Sequence, residues 1–409
     1  MSIGKFSAIR SALANPNYAL YVSGNGLSLI GFWMQRLAIG WLTWEITQSE
    51  FWVGAIAFAE MAPLVIISPV FGVWADRFDR KMLTMLCQGS MMLQSFILFA
   101  LVSAGLMNVE LLFIFALLDG ILQAAHQPVR LSIIPNLVKK KDLIAASSFT
   151  AVVFNVARFV GPAIAGVVIS LYGAGVAILS NGISYLFILL AWQYIKIPKR
   201  ERVQAKQSII GGIKEGFVYI RSIPALSTMF MLQTIIGFCL RPLGFMLAAF
   251  VGGVYDKGAG LLAVFSSAMG LGAIVAGLKI AMSGTTDGLV RSMLVHTVIA
   301  IIMIVCFSST SSTWLATVFI FIMGFSITLS TISSQTMIQN SIDDHVRGRV
   351  LSLWAALARG GPAFGVLIIG WLADYYGLMW PNITAAILCF IGLLFLVSKQ
   401  RVMREFFEH

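Results

Sequence analysis

Arg36, Glu60, Asp119, Arg158, Arg241 and Arg359 all fall well inside apolar stretches of this chain. A charge at the centre of a bilayer costs roughly 2.5–3.5 kcal/mol on insertion scales, so such groups face a partner or a wet cavity. Four arginines against two acids leave a central excess of positive charge. That is the chemistry for steering and holding an anionic or polar amphiphilic molecule. Asp119 and Glu60 are the deep carboxylates, and a carboxylate whose pKa shifts between two environments can carry a proton. The competing use is structural pairing, Arg36 with Glu60 or Asp119 with a neighbouring arginine. Ser330, Ser333, Ser334 and Gln335 add polar groups to a further apolar stretch.

Other chemistries find little support. Cys87, Cys239, Cys306 and Cys389 lie in apolar blocks without a CxxC pair, and read as small buried hydrophobes. The four histidines are scattered, so no metal site is expected. The chain carries no G-x-S-x-G and no phosphate-binding P-loop, which argues against a membrane enzyme or a pump with its own motor. No cofactor is expected.

The elements that position the deep charges follow from composition. Of 409 residues, 59% are hydrophobic and 11% charged, against about 25% charged in soluble proteins. A span needs roughly 20 apolar residues, and the apolar blocks read as twelve. The first six are Tyr18–Glu45, Phe51–Ala75, Met82–Leu106, Glu110–Ile134, Ile144–Tyr172 and Val176–Ile195. The second six are Ala225–Val254, Gly260–Met282, Leu289–Phe307, Thr313–Met337, Val350–Tyr375 and Trp380–Val397. The expected organisation is a bundle over 1–195, a charged linker over 196–224 and a second bundle over 225–409. Within the linker Ile209, Ile210, Ile213, Phe217 and Ile220 recur at helical spacing, which predicts an amphipathic helix on the membrane surface.

The net charge is +11. With no basic domain interleaved with aromatics, nucleic acid is not expected as a partner. Placing the N-terminus inside puts Lys5, Arg10, Arg77, Arg80, Lys81, Lys139, Lys140, Lys141, the linker bases, Lys279, Arg291, Arg347, Arg349, Lys399, Arg401 and Arg404 on one side. Lys257 alone falls on the other. That bias predicts two cytoplasmic termini in the cell (inner) membrane. The Tyr18–Glu45 block is too long for a signal-peptide core and is expected to be retained as a span.

The two sets of spans echo each other. Gly166 to Gly173 ends the fifth span and Gly370 to Gly377 the eleventh, with Gly161-Pro162 and Gly361-Pro362 upstream. Equivalent halves related by an axis along the membrane normal are a known transporter plan.

At the end of the second span stands Gly72-Val-Trp-Ala-Asp76-Arg77-Phe-Asp79-Arg80-Lys81. It resembles the signature loop of the major facilitator superfamily, though Asp79 stands where that family usually has Gly. The matching loop near Ser283–Arg291 lacks the motif. Asn15-Pro-Asn-Tyr18, Gln127-Pro128, Ile134-Pro135 and Arg347-Gly348-Arg349-Val350 are similar to the branch containing siderophore exporters and drug:proton antiporters. Gly161-Pro162-Ala-Ile-Ala-Gly166 resembles the antiporter motif of the fifth span, with Ser148 and Ala157 at positions where the family has glycine.

The resemblance implies an all-α membrane fold of twelve helices in two pseudo-symmetric bundles. It implies a one-sided conformational latch at Gly72, Asp76, Arg77, Arg80 and Lys81, and packing or gating roles for Gly161, Pro162, Gly166, Arg347, Gly348 and Arg349. In that fold the first, fourth, seventh and tenth spans line the central path, which makes Arg36, Asp119, Arg241 and Gln335 the cavity candidates. The implied function is secondary transport by alternating access, exporting an anionic or amphiphilic small molecule with proton coupling through Asp119 or Glu60. The family's usual arginine motif of the fourth span is absent, which leaves the coupling ion open. Multidrug efflux and lipid or metabolite transport are alternatives within the fold; a channel or scramblase is the alternative outside it. The expected partners are a small-molecule substrate and membrane lipids, with the protein a monomer.

Overall fold

The computed structural model describes residues 9–68, 71, 79–196, 209–283, 288–397 and 400–407, which are helical almost throughout and contain no strand. The first span is α1 (Pro16–Thr47) and the second begins with α2 (Glu50–Ile66). Then come α3 (Arg80–Ser103), α4 (Val109–Leu137), α5 (Leu143–Tyr172) and α6 (Ala174–Tyr194). The linker holds α7 (Ile209–Ser222). The second set is α8 (Pro224–Cys239), α9 (Ala259–Ser283), α10 (Leu289–Ser309), α11 (Thr313–Ser341), α12 (Asp344–Tyr376) and α13 (Met379–Val397), followed by α14 (Gln400–Phe407). Among the described residues, ten stretches are long and apolar enough to cross a membrane by length and composition.

Helix ends follow local chemistry. Asp79 caps α3 by accepting from the Met82 N–H at 2.8 Å, and Asn108 caps α4 by accepting from Leu111 N–H at 2.8 Å. Pro224 opens α8, where its missing N–H leaves nothing unsatisfied. Gly173 and Gly377 close α5 and α12 at φ +83° and +72°, a region open to glycine without strain.

Two differences from the sequence reading have physical causes. The seventh span is broken rather than continuous. After Cys239 the chain turns through a 3-10 segment at Arg241–Gly244 and a π segment at Phe250–Val254. Pro242 has no N–H to give the Phe238 carbonyl, so the α-helical ladder stops there. Arg347-Gly348-Arg349, which precede the expected span at Val350, lie inside α12, whose first turn closes with Arg347 N–H to Asp343 O at 3.0 Å.

The described chain forms two compact units. One takes 1–46, 66–205 and 258–267; the other takes 47–65, 206–257 and 268–409. In the first, Tyr18, Tyr21, Met91, Val129, Ile133, Ala146, Tyr185, Ile188 and Trp192 build a core from five spans. The Trp192 indole there donates to Gln88 Oε1 at 3.0 Å. Asn17 exchanges hydrogen bonds with the Lys196 backbone at 3.1 Å each way, and Tyr18 donates to Ala146 O at 2.8 Å. The Asn-Pro-Asn-Tyr motif thus ties the start of α1 to the start of α5 and to the end of α6.

Each unit repeats one packing device. In the first, a Cβ on Gly161 would stand 2.6 Å from Trp33 Cβ of α1, and one on Gly166 would collide with Ala263 of α9. In the second, a Cβ on Gly365 would collide with Phe238 O of α8, and one on Gly370 would stand 2.8 Å from Glu50 O of α2. The repeat therefore runs Gly161/Gly166/Gly173 against Gly365/Gly370/Gly377. The Gly-Pro pairs, by contrast, are four residues out of register.

Candidate functional site

In the first unit, α1, α4 and α5 each place an arginine one helical turn beyond a ring: Trp33 and Arg36, His126 and Arg130, Phe154 and Arg158. Residues three or four apart share a helix face. Trp33 and Phe154 meet edge to face at 5.9 Å between centroids. Arg36 and Arg158 lie 5.5 and 5.6 Å from the Trp33 ring, and Arg130 lies 5.8 Å from the Phe154 ring. Guanidiniums over aromatic faces gain about 0.5–2 kcal/mol each, most where water is excluded. His126 is buried with 8% exposure beside Arg130. Asp119, buried to the same degree, stands seven residues before His126, two turns along α4 on the same face.

The sequence reading found Arg36, Asp119 and Arg158 and passed over Arg130 and His126. The signal for both was present. They flank Pro128 within an apolar span, and that proline leaves the Ala124 carbonyl without its helical partner. Behind the cluster, Gln35 Oε1 accepts from Ser95 Oγ at 2.8 Å and Asn181 Nδ2 at 2.9 Å, which fixes the rotation of α1 against α3 and α6.

In the second unit Arg241 sits at the break of the seventh span. Its Nη1 donates to Ala358 O at 3.0 Å and its Nη2 to Thr331 Oγ1 at 2.8 Å. The Ala358 carbonyl is the one that Pro362 leaves without an N–H partner, so the guanidinium takes the place of the missing donor. Arg359 and Glu60 are half-buried, and each has an interacting partner. Ser330 and Ser334 of α11 bond residues other than Arg241. Ser330 bonds Thr297 at 3.0 Å, and Ser334 accepts from Gln233 Nε2 at 2.7 Å. Gln335 is exposed, one turn beyond Thr331.

Also in the second unit, Asp374 of α12 caps the start of α2. It accepts from Phe51 N–H at 2.9 Å and from Ser49 Oγ at 3.2 Å. Glu50 is the first residue of α2, ahead of the apolar run that starts at Phe51; burial and then the facing Asp374 carboxylate hold its carboxyl above the ordinary range. Phe58 and Phe364 meet edge to face at 5.4 Å further along the same pair of helices.

Of the signature loop, Gly72, Asp76 and Arg77 lie outside the described residues. Arg80 opens α3, and Lys81 Nζ donates to Ile195 O at 2.8 Å, joining α3 to the end of α6. Arg349 forms an ion pair with Glu215 of α7, and Tyr219 of α7 donates to Asp343 at 3.4 Å. The linker helix is thereby pinned to the start of α12. Arg347 Nη2 donates to Ile342 O at 2.9 Å, and Gly348 is exposed with open space around it. Pro162 lies buried beside Gly161.

Residues 10–406 match the sequence model of the transmembrane secretion effector family. The staphyloferrin A transporter of Staphylococcus aureus is 26% identical over 379 residues, covering 88% of this chain and 90% of its own. The enterobactin exporter of Citrobacter koseri is 25% identical over 377 residues, covering 88% and 85%. Among solved structures, a bacterial homologue of the lysosomal transporter Spinster, inward-facing and occupied, superposes with a TM-score of 0.74 at 14% identity, covering 97% of this chain and 98% of its own. A bacterial homologue of ferroportin gives 0.72 at 15% identity, covering 93% and 98%.

Proposed function

This chain belongs to the transmembrane secretion effector family of major facilitator transporters, and we propose that it exports an anionic or amphiphilic small molecule by proton-coupled alternating access. The observation that carries this reading is the set of guanidiniums on α1, α4 and α5 at aromatic faces within membrane spans. Such a set attracts anions and disfavours cations. Siderophore transport by two relatives points the same way. Asp119 and Glu60 are the carboxylates available for proton exchange, and Gly72, Asp76, Arg77, Arg80 and Lys81 form the latch. The protein works as a monomer in the inner membrane, with both termini cytoplasmic, as its one-sided Lys and Arg distribution supports.

The test is flux in proteoliposomes across an imposed pH gradient, using a panel of radiolabelled anions and cations. The reading expects saturable movement of an anion that stops when a protonophore collapses the gradient. Movement of cations alone, or flux linear in concentration, would contradict it.

A further inference from the structure

We propose that Trp33, Arg36, His126, Arg130, Phe154 and Arg158 form a binding site for a small solute carrying more than one oxyanion group, held within the first unit alone. This deepens the export reading and rests on it.

Arg130 and Arg158 carry the argument. Among the described residues neither side chain makes a hydrogen bond or ion pair, and each lies against a ring, Arg130 at Phe154 and Arg158 at Trp33. Arg158 lies in the middle of α5 and Arg130 at the end of the apolar stretch Val109–Arg130; guanidiniums in such places, with no carboxylate partner among the described residues, call for a counter-anion. Two further atoms point to the same occupant. The Trp33 Nε1 donor and the His126 Nε2 atom are buried without a hydrogen-bond partner, and a buried polar atom calls for one. Both belong to the rings that accompany the arginines. Trp33 Nε1–H suits an oxyanion acceptor, and His126 Nε2 suits one when it carries the proton.

The pattern selects for chemistry. A single acidic group would answer one guanidinium and leave the other without an anion. A solute with two or more carboxylate, phosphate or sulfonate groups on a compact carbon frame answers both. Its frame would lie against the Trp33–Phe154 pair, and arginine forks take oxyanions in bidentate fashion.

The test uses the purified full-length protein in nanodiscs of phosphatidylcholine. Tryptophan fluorescence is titrated with citrate, with inorganic phosphate and, separately, with phosphatidylglycerol added to the disc. We expect saturable quenching by citrate that is lost in Trp33→Phe. We also expect it to weaken about tenfold or more in Arg130→Gln and in Arg158→Gln, the cost of losing a charge-assisted contact. Arg158→Lys should keep part of the affinity, and thermal unfolding checks that each variant is folded. Quenching by phosphate alone, or by phosphatidylglycerol alone, would overturn the multi-anion solute in favour of a simple anion or lipid site. So would unchanged citrate affinity in both glutamine variants. Citrate binding with the expected variant pattern but no gradient-driven flux would refute the export reading and leave the site standing. Flux with an unchanged KM in both variants would do the reverse.

Discussion

A guanidinium inside a membrane span costs roughly 2.5–3.5 kcal/mol if left alone, and this chain answers that cost in two ways. Arg241 is absorbed into the backbone, bonded to the carbonyl that Pro362 frees and to Thr331. Arg130 and Arg158 are held against rings, which leaves their hydrogen-bonding edges for something else. Glycines divide in the same manner. Gly161 is pressed on Trp33, whereas Gly348 sits in helix with nothing within 4 Å of its would-be Cβ. Gly348→Ala should therefore stabilise the protein by up to about 1 kcal/mol through helix propensity. Gly161→Ala should destabilise it, since the Cβ of Trp33 cannot give way without moving α1. Thermal unfolding in detergent checks the pair. Equal shifts in the two variants would contradict the packing described.

At the scale of helices, the chain uses short contacts to set how elements cross. The glycines of α5 receive α1 and α9, and those of α12 receive α8 and α2. The second arrangement carries an acid that the first lacks: Asp374 caps α2, while Ser170 stands at the corresponding step of α5, 3.7 Å from a Cβ built on Gly260. The Glu50–Asp374 pair makes the α2–α12 contact sensitive to pH. Because burial and Asp374 raise the Glu50 pKa, the packed arrangement binds a proton more tightly than the separated one. Its stability is then full below the ordinary carboxyl value and falls as pH rises through the raised one. Wild-type protein should gain thermal stability on acidification through that range, and Glu50→Gln should flatten the gain. An equal response in the two proteins would remove Glu50 from this role.

For the whole molecule, much was legible in the sequence, and the reasons are physical. Spans are read from long apolar runs because the bilayer admits little else, so the ten that the described residues carry could be placed without coordinates. Arg36, Arg158 and Arg241 stood out because charge is rare at depth. Arg130 and His126 did not, because they sit toward the end of α4, where a basic residue passes as an interfacial anchor. Their grouping with Phe154 depends on how α4 and α5 pack, which no single helix encodes. The break at Arg241-Pro242 was hidden inside a continuous apolar run, since hydropathy does not register a lost backbone donor. The Gly-Pro pairs misled by four residues, because the repeat lies in which glycines receive neighbouring helices. At this scale the latch is testable too. Asp76→Asn should cut transport severely while insertion and thermal stability hold, and unchanged flux would exclude a latch role for Asp76.

Alternating access requires that the arginine cluster meet water from one side of the membrane and then the other. The direct measurement is thiol labelling of Arg158→Cys in a background lacking Cys87, Cys239, Cys306 and Cys389. A membrane-impermeant reagent is added from either face of oriented vesicles, with and without a pH gradient. Labelling from both faces, with the balance between them moved by the gradient, is the predicted result. A position sealed to the reagent from both faces under every condition would contradict the account.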